Sequence, residues 1–532
     1  MRQDAKAAQR ADVAKAAAAA TPRPLTFWEQ YRRKSQGMVG LAIVAVYVIV
    51  AVFAPWIAPY NPKDDLYLAD ASAAPVWMSK LSAKFRDCPP TIRLKLGFDE
   101  WNQEELGAAT LSPFDDGEGS GIQLSYPATE PRESEAEEDF SFSFVGNAHW
   151  NPWASSSPEE PSDQVADEEI STESGASAQE VVLSHVMQYN YKSPNTFSAQ
   201  FDYSIDAPDT AETSISVELV TPNGEAYEVW DRTLSGSADS ESAIIDARDF
   251  DLKLKLGLSF FGEPSQVLFV ERGDYTIRLR MSSISPDGPV TVKISPVAFG
   301  VLGMVHGVLG VDHMGSDIWS QLIYGTRIAL AIGLSTAFIA VAIGTTVGIV
   351  AGYVGGAVDE FLMRVADVLL AIPELPILII LGALFGKSVL NIVILLALLS
   401  WMGIARLVRS QTLSLKERQF VEASRASGAP QSYIMLHHIL PNVMPLIFAN
   451  LVLRIPGAIL AEASLSFLGL GDPRVCTWGR ILQNAKEFGA FTTMAWWWLV
   501  PPGLALTFMS LAFVFIGNSV NEILNPRYRE RS

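Results

Sequence analysis

Apolar residues in this chain fall into six long runs, and between the first and second runs the pattern changes to alternation. The first run, 37–58, is 22 residues without a charge, long enough as a helix to cross a ~30 Å hydrocarbon core. Further apolar runs occupy 328–354, 367–386, 388–405, 442–468 and 495–516. In the second, Gly344, Gly348 and Gly352 recur at every fourth position, a face on which helices approach closely. Asp359, Glu360 and Arg364 mark a short turn after it. Pro373-Glu374-Leu375-Pro376 interrupts the third run, and Gly386-Lys387 forms a tight turn into the fourth. The pattern predicts six membrane-spanning helices.

The interval 59–310 reads differently. Ile215, Val217 and Leu219 alternate with Ser216 and Glu218, and Pro222-Asn223-Gly224 supplies a turn. Tyr275, Ile277, Leu279 and Met281 alternate with polar residues, as do Val290, Val292 and Ile294. Period two with turn signals between predicts an antiparallel β-sandwich over 196–295. The stretch 111–178 is rich in Ser, Pro, Glu and Asp. It is expected to be disordered, because it buries too little apolar surface to offset chain entropy.

Charge orients these elements. The tail 1–36 carries eight bases against three acids, and Arg32-Arg33-Lys34 immediately precedes the first run. No cleavage site follows that run, so it is read as a signal anchor. Segment 406–441 opens with Arg406, Arg409, Lys416 and Arg418 against Glu417, and such loops lie on the cytoplasmic side. Six crossings then place both termini inside, consistent with Arg527, Arg529 and Arg531 in the tail 526–532, and leave 59–310 outside. The chain has 532 residues, a 49% hydrophobic fraction and a net charge of −19. From Pro131 to Glu180 there are 13 acids and one base, which is −12 of that total. The acidity is therefore local, and it argues against nucleic acid as a partner. Two cysteines, Cys88 and Cys476, make neither a disulfide framework nor a metal cluster. Both lie outside in this topology, where a bridge is geometrically allowed.

The basic loop holds the most specific signal. Glu422, Ala423 and Ser424 are followed by Gly428 and later by Leu440-Pro441. Glu422 complements the positive end of a short helix, and Ala423 and Ala426 leave a low surface for another protein. Gly428-Ala429-Pro430 ends that helix, and a second helix is expected from about Gln431 to before Pro441. The motif resembles the Glu-Ala-Ala coupling loop of ABC-importer permeases, with Ser424 in place of the second alanine. Gly310-Val311-Asp312, Gly315-Ser316-Asp317 and Tyr324-Gly325-Thr326-Arg327 resemble the segment before the second helix of the dipeptide, oligopeptide and nickel permeases, with Ser316 where an Arg is usual. The string from Leu460 to Gly471 with Trp478-Gly479 is similar to the same family.

The resemblance covers about 27–62 and 310–527. It implies the C-type subunit of an ABC importer, with six helices of the type I permease fold and a permease core over 311–525, into which the mainly-β extracytoplasmic domain read from the alternation is inserted. It further implies a second permease subunit, two cytoplasmic ATPases docked on Glu422 to Gly428, an extracytoplasmic binding protein and a location in the bacterial inner membrane. ATP would be bound by the partners and no cofactor by this chain. The large insert departs from the family. A rival reading is a membrane-anchored binding or sensory protein whose β-sandwich does the work, although an anchor has no need of six helices and a coupling loop.

Ionisable residues at membrane depth are functional candidates. Glu374, between its prolines, is read either as lining the translocation pathway or as locally bonded at a bend. Glu462 is read as a structural or gating residue on the same pathway. His306, Asp312, His313 and Asp317 fit no compact metal site. Gly382 to Ser388 lacks the spacing and the strand-to-helix context of a phosphate-binding loop. No catalytic constellation emerges, so the chain is not expected to be an enzyme.

Overall fold

The computed structural model describes residues 26–115, 119–128 and 179–524. The expected tails, apart from the helical stretch before the first span, and most of the acidic stretch lie outside the described residues. The chain divides into two units, one formed by 1–86 and 303–532, the other by 87–302.

The first unit is helical. Helix α1 (Phe27–Arg32) starts with a Thr26–Glu29 capping box, in which side chains satisfy the amides that open a helix. Helix α2 (Ser35–Val52) follows, then α3 (Ile318–Val354), α4 (Gly356–Ala371), α5 (Glu374–Phe385), α6 (Val389–Ser400) and α7 (Met402–Lys416). Next come the short helices α8 (Gln419–Ala426) and α9 (Gln431–Ile434), then α10 (Leu440–Phe467), α11 (Trp478–Glu487) and α12 (Trp496–Leu524). Four continuous helical runs are long and apolar enough to span a membrane: Ser35–Val52, Ile318–Val354, Gln431–Phe467 and Trp496–Leu524. The bent pairs α4–α5 and α6–α7 bring the possible number to six.

Several boundaries differ from the expectation. The run 367–386 is not one helix: α4 and α5 meet at 90°, because Pro373 cannot donate to the ladder and disfavours helix at Ile372 before it. Asp359, Glu360 and Arg364 belong to helix α4, and the turn lies at Gly355, whose φ is +72°. The fourth run bends by 41° at Trp401 and continues as helix to Lys416. Helix α3 starts ten residues earlier than expected, at Ile318, capped by the Asp317 carboxylate on the Ser320 amide at 2.8 Å.

The second unit is a β-sandwich whose strands are β1 (Ile92–Leu96), β2 (Asn102–Glu105), β3 (Thr110–Asp115), β4 (Ser120–Tyr126), β5 (Gln179–Tyr189) and β6 (Phe197–Asp206). They continue with β7 (Glu212–Val220), β8 (Ala226–Ser235), β9 (Ala238–Asp246), β10 (Gly273–Ile284), β11 (Val290–Ile294) and β12 (Val297–Val301). One sheet runs β1-β12-β6-β11-β4-β3 with β9 also paired to β6, and the other runs β2-β5-β10-β7-β8. The alternating residues face the core in register: Ile215 opposite Met281, Val217 opposite Leu279 and Leu219 opposite Ile277, all buried. Gly224, at φ +89°, turns β7 into β8 and donates its amide to the Thr221 carbonyl at 2.9 Å.

The sandwich extends well beyond 196–295, and β3 and β4 occupy part of the stretch expected to be disordered. Ile122, Leu124 and Tyr126 of β4 are fully buried, so this end of the stretch does have the apolar surface to hold itself in a sheet. Cys88, in this unit, is buried, and Cys476, in the helical unit, is half-buried.

Candidate functional site

The loop 406–441 is built almost entirely of helix. Arg409 is held by a two-pronged ion pair to Asp359 on α4, its Nη2 at 2.6 Å from the carboxylate. Such forked pairs fix orientation as well as charge. Helix α8 buries one residue, Val421, among Tyr353 of α3, Val408 of α7, and Ile434 and Ile439, and its Arg425 guanidinium lies over the Tyr353 ring at 5.8 Å. Glu422 and Ala423 on its other face are exposed, and Ser424 is half-buried. Gly428, at φ +81°, ends the helix, and its amide and that of Ala429 return to the Arg425 and Ser424 carbonyls at 3.0 and 3.2 Å. That left-handed position suits glycine.

The helix after the bend does not stop before Pro441. From α9 it passes through one π-helical turn, Met435–Ile439, directly into α10. The Leu440 amide donates to the Met435 carbonyl, five residues back. This wider register carries the helix past the proline, which has no amide to donate. Leu440 is half-buried and Pro441 exposed at the start of α10. The knob therefore shares a helix with a spanning segment, where a separate connector was expected. The charge pattern also concealed an aromatic flank: Phe420 and Tyr433 are exposed, and the Tyr433 ring stacks on His437 at 4.3 Å.

Glu374 is exposed at the first position of α5. It lines a cavity of about 270 Å³ together with Thr336 and Ala340 of α3, Gly403 of α7, and Arg454 and Gly457 of α10. Arg454 escaped the sequence reading. It lies 14 residues after Leu440 and 13 before Phe467, so at 1.5 Å per residue it sits about 20 Å from either end of α10. Two charges, Arg454 and Glu462, barely lower the hydropathy of a 28-residue run, yet leaving an arginine in lipid costs roughly 2.5–3.5 kcal/mol at the helix centre. That cost is the signal that would have singled it out. Gly403 makes space for it, since a methyl there would stand 2.8 Å from the guanidinium.

Glu462 is elsewhere, buried near the far end of α10. Its carboxylate accepts from the Ser466 hydroxyl at 2.6 Å and is also hydrogen-bonded to Thr477, the residue that caps α11. The group thus ties α10 to α11 and does not share the cavity of Glu374. Trp478 is buried beside it, with its indole N–H on the Leu322 carbonyl at 2.9 Å. Gly325 clears room for that ring, since a methyl there would lie 2.7 Å from it.

The other singled-out residues serve the backbone. Asp312 accepts from the Met314 and Ser316 amides and from Gln321 at 2.7–3.0 Å. Asp317 caps α3, and His313 stacks on Phe488 with ring centres 3.5 Å apart. Among the described residues, no group of three or more His, Cys, Asp or Glu side chains is placed to hold a metal ion.

Residues 344–530 match a family model described as the binding-protein-dependent transport system inner membrane component. Residues 25–75 match the N-terminal transmembrane domain of oligopeptide transport permease C. The oligopeptide transport system permease protein OppC of Haemophilus influenzae is 40% identical over 221 residues, covering 41% of this chain and 70% of that protein. The glutathione transport system permease protein GsiD of Pectobacterium atrosepticum is 38% identical over 222 residues, covering 42% and 73%. Among solved structures, the MetNI methionine ABC transporter in an inward facing conformation aligns at 19% identity and a TM-score of 0.30, over 38% of this chain and 96% of that one.

Proposed function

The chain belongs to the binding-protein-dependent inner-membrane permeases, the family of the oligopeptide permease C proteins, and on that footing we propose that it forms half of an ATP-driven import pathway for peptides. ATP is hydrolysed on two cytoplasmic partner subunits that dock on α8, contacting Glu422, Ala423 and Ser424, with Gly428 setting the bend and Leu440-Pro441 leading into the membrane. A second, similar permease subunit completes the pathway, and an extracytoplasmic binding protein delivers the substrate. Both termini are cytoplasmic and the β-sandwich lies outside. ATP binding moves the knobs and shifts the helix bundles between inward- and outward-open states, because the nucleotide interacts differently with the two. Glu374 lines the pathway, and Glu462 holds its outer end.

The observation that carries this reading is the construction of α8. Val421 keys it into the bundle with Arg425 over the Tyr353 ring, and Glu422 and Ala423 are exposed. Co-purification tests it. The native chain should bring down an ATPase pair and a second permease, and Glu422→Arg, which alters an exposed residue, should lose the ATPases and keep the permease. Recovery of no ATPase with either protein would overturn the reading.

A further inference from the structure

We infer that the cavity between α3, α5, α7 and α10 is a two-point site for zwitterionic peptides in transit, with Arg454 receiving the carboxylate end and Glu374 the ammonium end. The inference rests on the proposed import pathway and adds a substrate contact made by the permease itself.

Four observations carry it. Arg454 and Glu374 face the same cavity of about 270 Å³, close to the lower end of the volumes of small-ligand sites, roughly 300–1,000 Å³. Arg454 is at the middle of a spanning helix, where a charge is retained for function and normally finds a partner. Neither side chain takes part in a hydrogen bond or ion pair among the described residues. Opposite charges that share a cavity without neutralising each other leave both available to a ligand carrying the complementary pair.

The third observation is Thr336, whose residue is 1% exposed and whose hydroxyl has no hydrogen-bond partner. A buried hydroxyl is ordinarily satisfied, and this one lines the cavity beside the two charges. The fourth is the floor. Gly457, Ala337 and Ala340 are small residues among its four leucines, and a Cβ on Gly457 would meet nothing within 4 Å, so a peptide backbone can approach on that side. A guanidinium is the group best matched to a carboxylate, which it meets with two parallel hydrogen bonds. The rest of the lining is small or aliphatic, so side-chain identity of the substrate is left unread and its two ends are read.

The test uses the complete transporter, with its partner subunits and binding protein, in proteoliposomes. Uptake is measured for a peptide with free termini, the same peptide amidated at its carboxyl end, and the same peptide acetylated at its amino end. Affinity of the isolated binding protein for each is measured separately and divided out. The native complex should favour the free peptide over the amidated one by about tenfold. Arg454→Gln should abolish that preference by slowing only the free-carboxylate peptides, and Arg454→Lys should restore part of it. Glu374→Gln should abolish discrimination against the acetylated form and leave the amide comparison unchanged. Binding-protein-stimulated ATP hydrolysis should persist in all variants, so its presence separates this inference from the importer reading. Equal slowing of all three peptides, or unchanged preferences with normal hydrolysis, would overturn the site. Should Arg454→Gln prevent assembly, Arg454→Lys and Glu374→Gln decide by the same peptide ratios. Absence of ATP-dependent uptake by the native complex would instead overturn the importer reading.

Discussion

Helices α3 and α7 meet through glycines, whereas the two sheets of the insert meet through rings. A methyl on Gly344, Gly348 or Gly352 would stand 2.6–2.9 Å from the carbonyl of Trp401, Ala405 or Arg409. In the insert, Phe269 packs against Tyr189, Tyr275 and Phe197 with ring centres 5.1–5.5 Å apart, all of them fully buried. The difference follows from the surroundings each unit is composed for. Between helices in lipid, removing apolar area from the solvent gains little, so contact depends on how closely backbones approach. A sandwich in water is held by the apolar area it buries, about 25 cal/mol per Å², and large rings supply most of it.

The contrast can be broken at three points. Gly348→Leu should have the largest effect, since the side chain would enter the Ala405 carbonyl and α3 could not seat on α7. Size-exclusion chromatography in detergent should show no monodisperse protein, and a normally eluting variant would refute the close-approach account.

Alkaline pH should loosen the insert. Burial pushes Tyr203 and Tyr275 up to about 12, and raises Tyr126 and Tyr189 as well. A folded-state value above the unfolded one near 10 means that the neutral ring's contribution is complete below pH 10 and is lost as pH rises through about 12. Hydrogen exchange should therefore accelerate over β5 and β10 between pH 10 and 12 while α3 stays protected. Simultaneous loss of both would show that the units do not hold independently. Ser466→Ala is the mildest change. It leaves the buried Glu462 carboxylate with one partner fewer, and stability should fall by about 1–3 kcal/mol, seen as a lower Tm with unchanged ATPase recruitment.

Sequence patterns exposed those features that a single element encodes. The fourfold glycine spacing of α3, the alternation of β7 and β10, and the turn at Gly224 are local, and each could be read from a few residues. Strand β2 escaped because Asn102–Glu105 is exposed throughout, so no alternation marks it. Strand β1 does alternate, Ile92, Leu94 and Leu96 against Arg93 and Lys95, but in a run of only five residues far from the others. The cavity escaped for another reason. Arg454, Gly403 and Thr336 come from three helices, and only the packing of α3, α7 and α10 brings them to one space. Glu374 was visible as a charge between prolines, but its neighbour was not. The π-turn was concealed because Leu440-Pro441 reads as a helix stop unless the wider register is known.

That turn has a mechanical consequence. From Gln431 to Phe467 the chain is one helical rod of 37 residues, about 55 Å long at 1.5 Å per residue. It begins beside the knob, passes Arg454 about two-thirds of the way along, and carries the Glu462 tie near its far end. A loose linker would absorb a push on the knob within a few bonds, but a rod transmits it as a swing. How far a push would carry then depends on Pro445 and Pro456 inside the run, the points at which such a helix bends most easily.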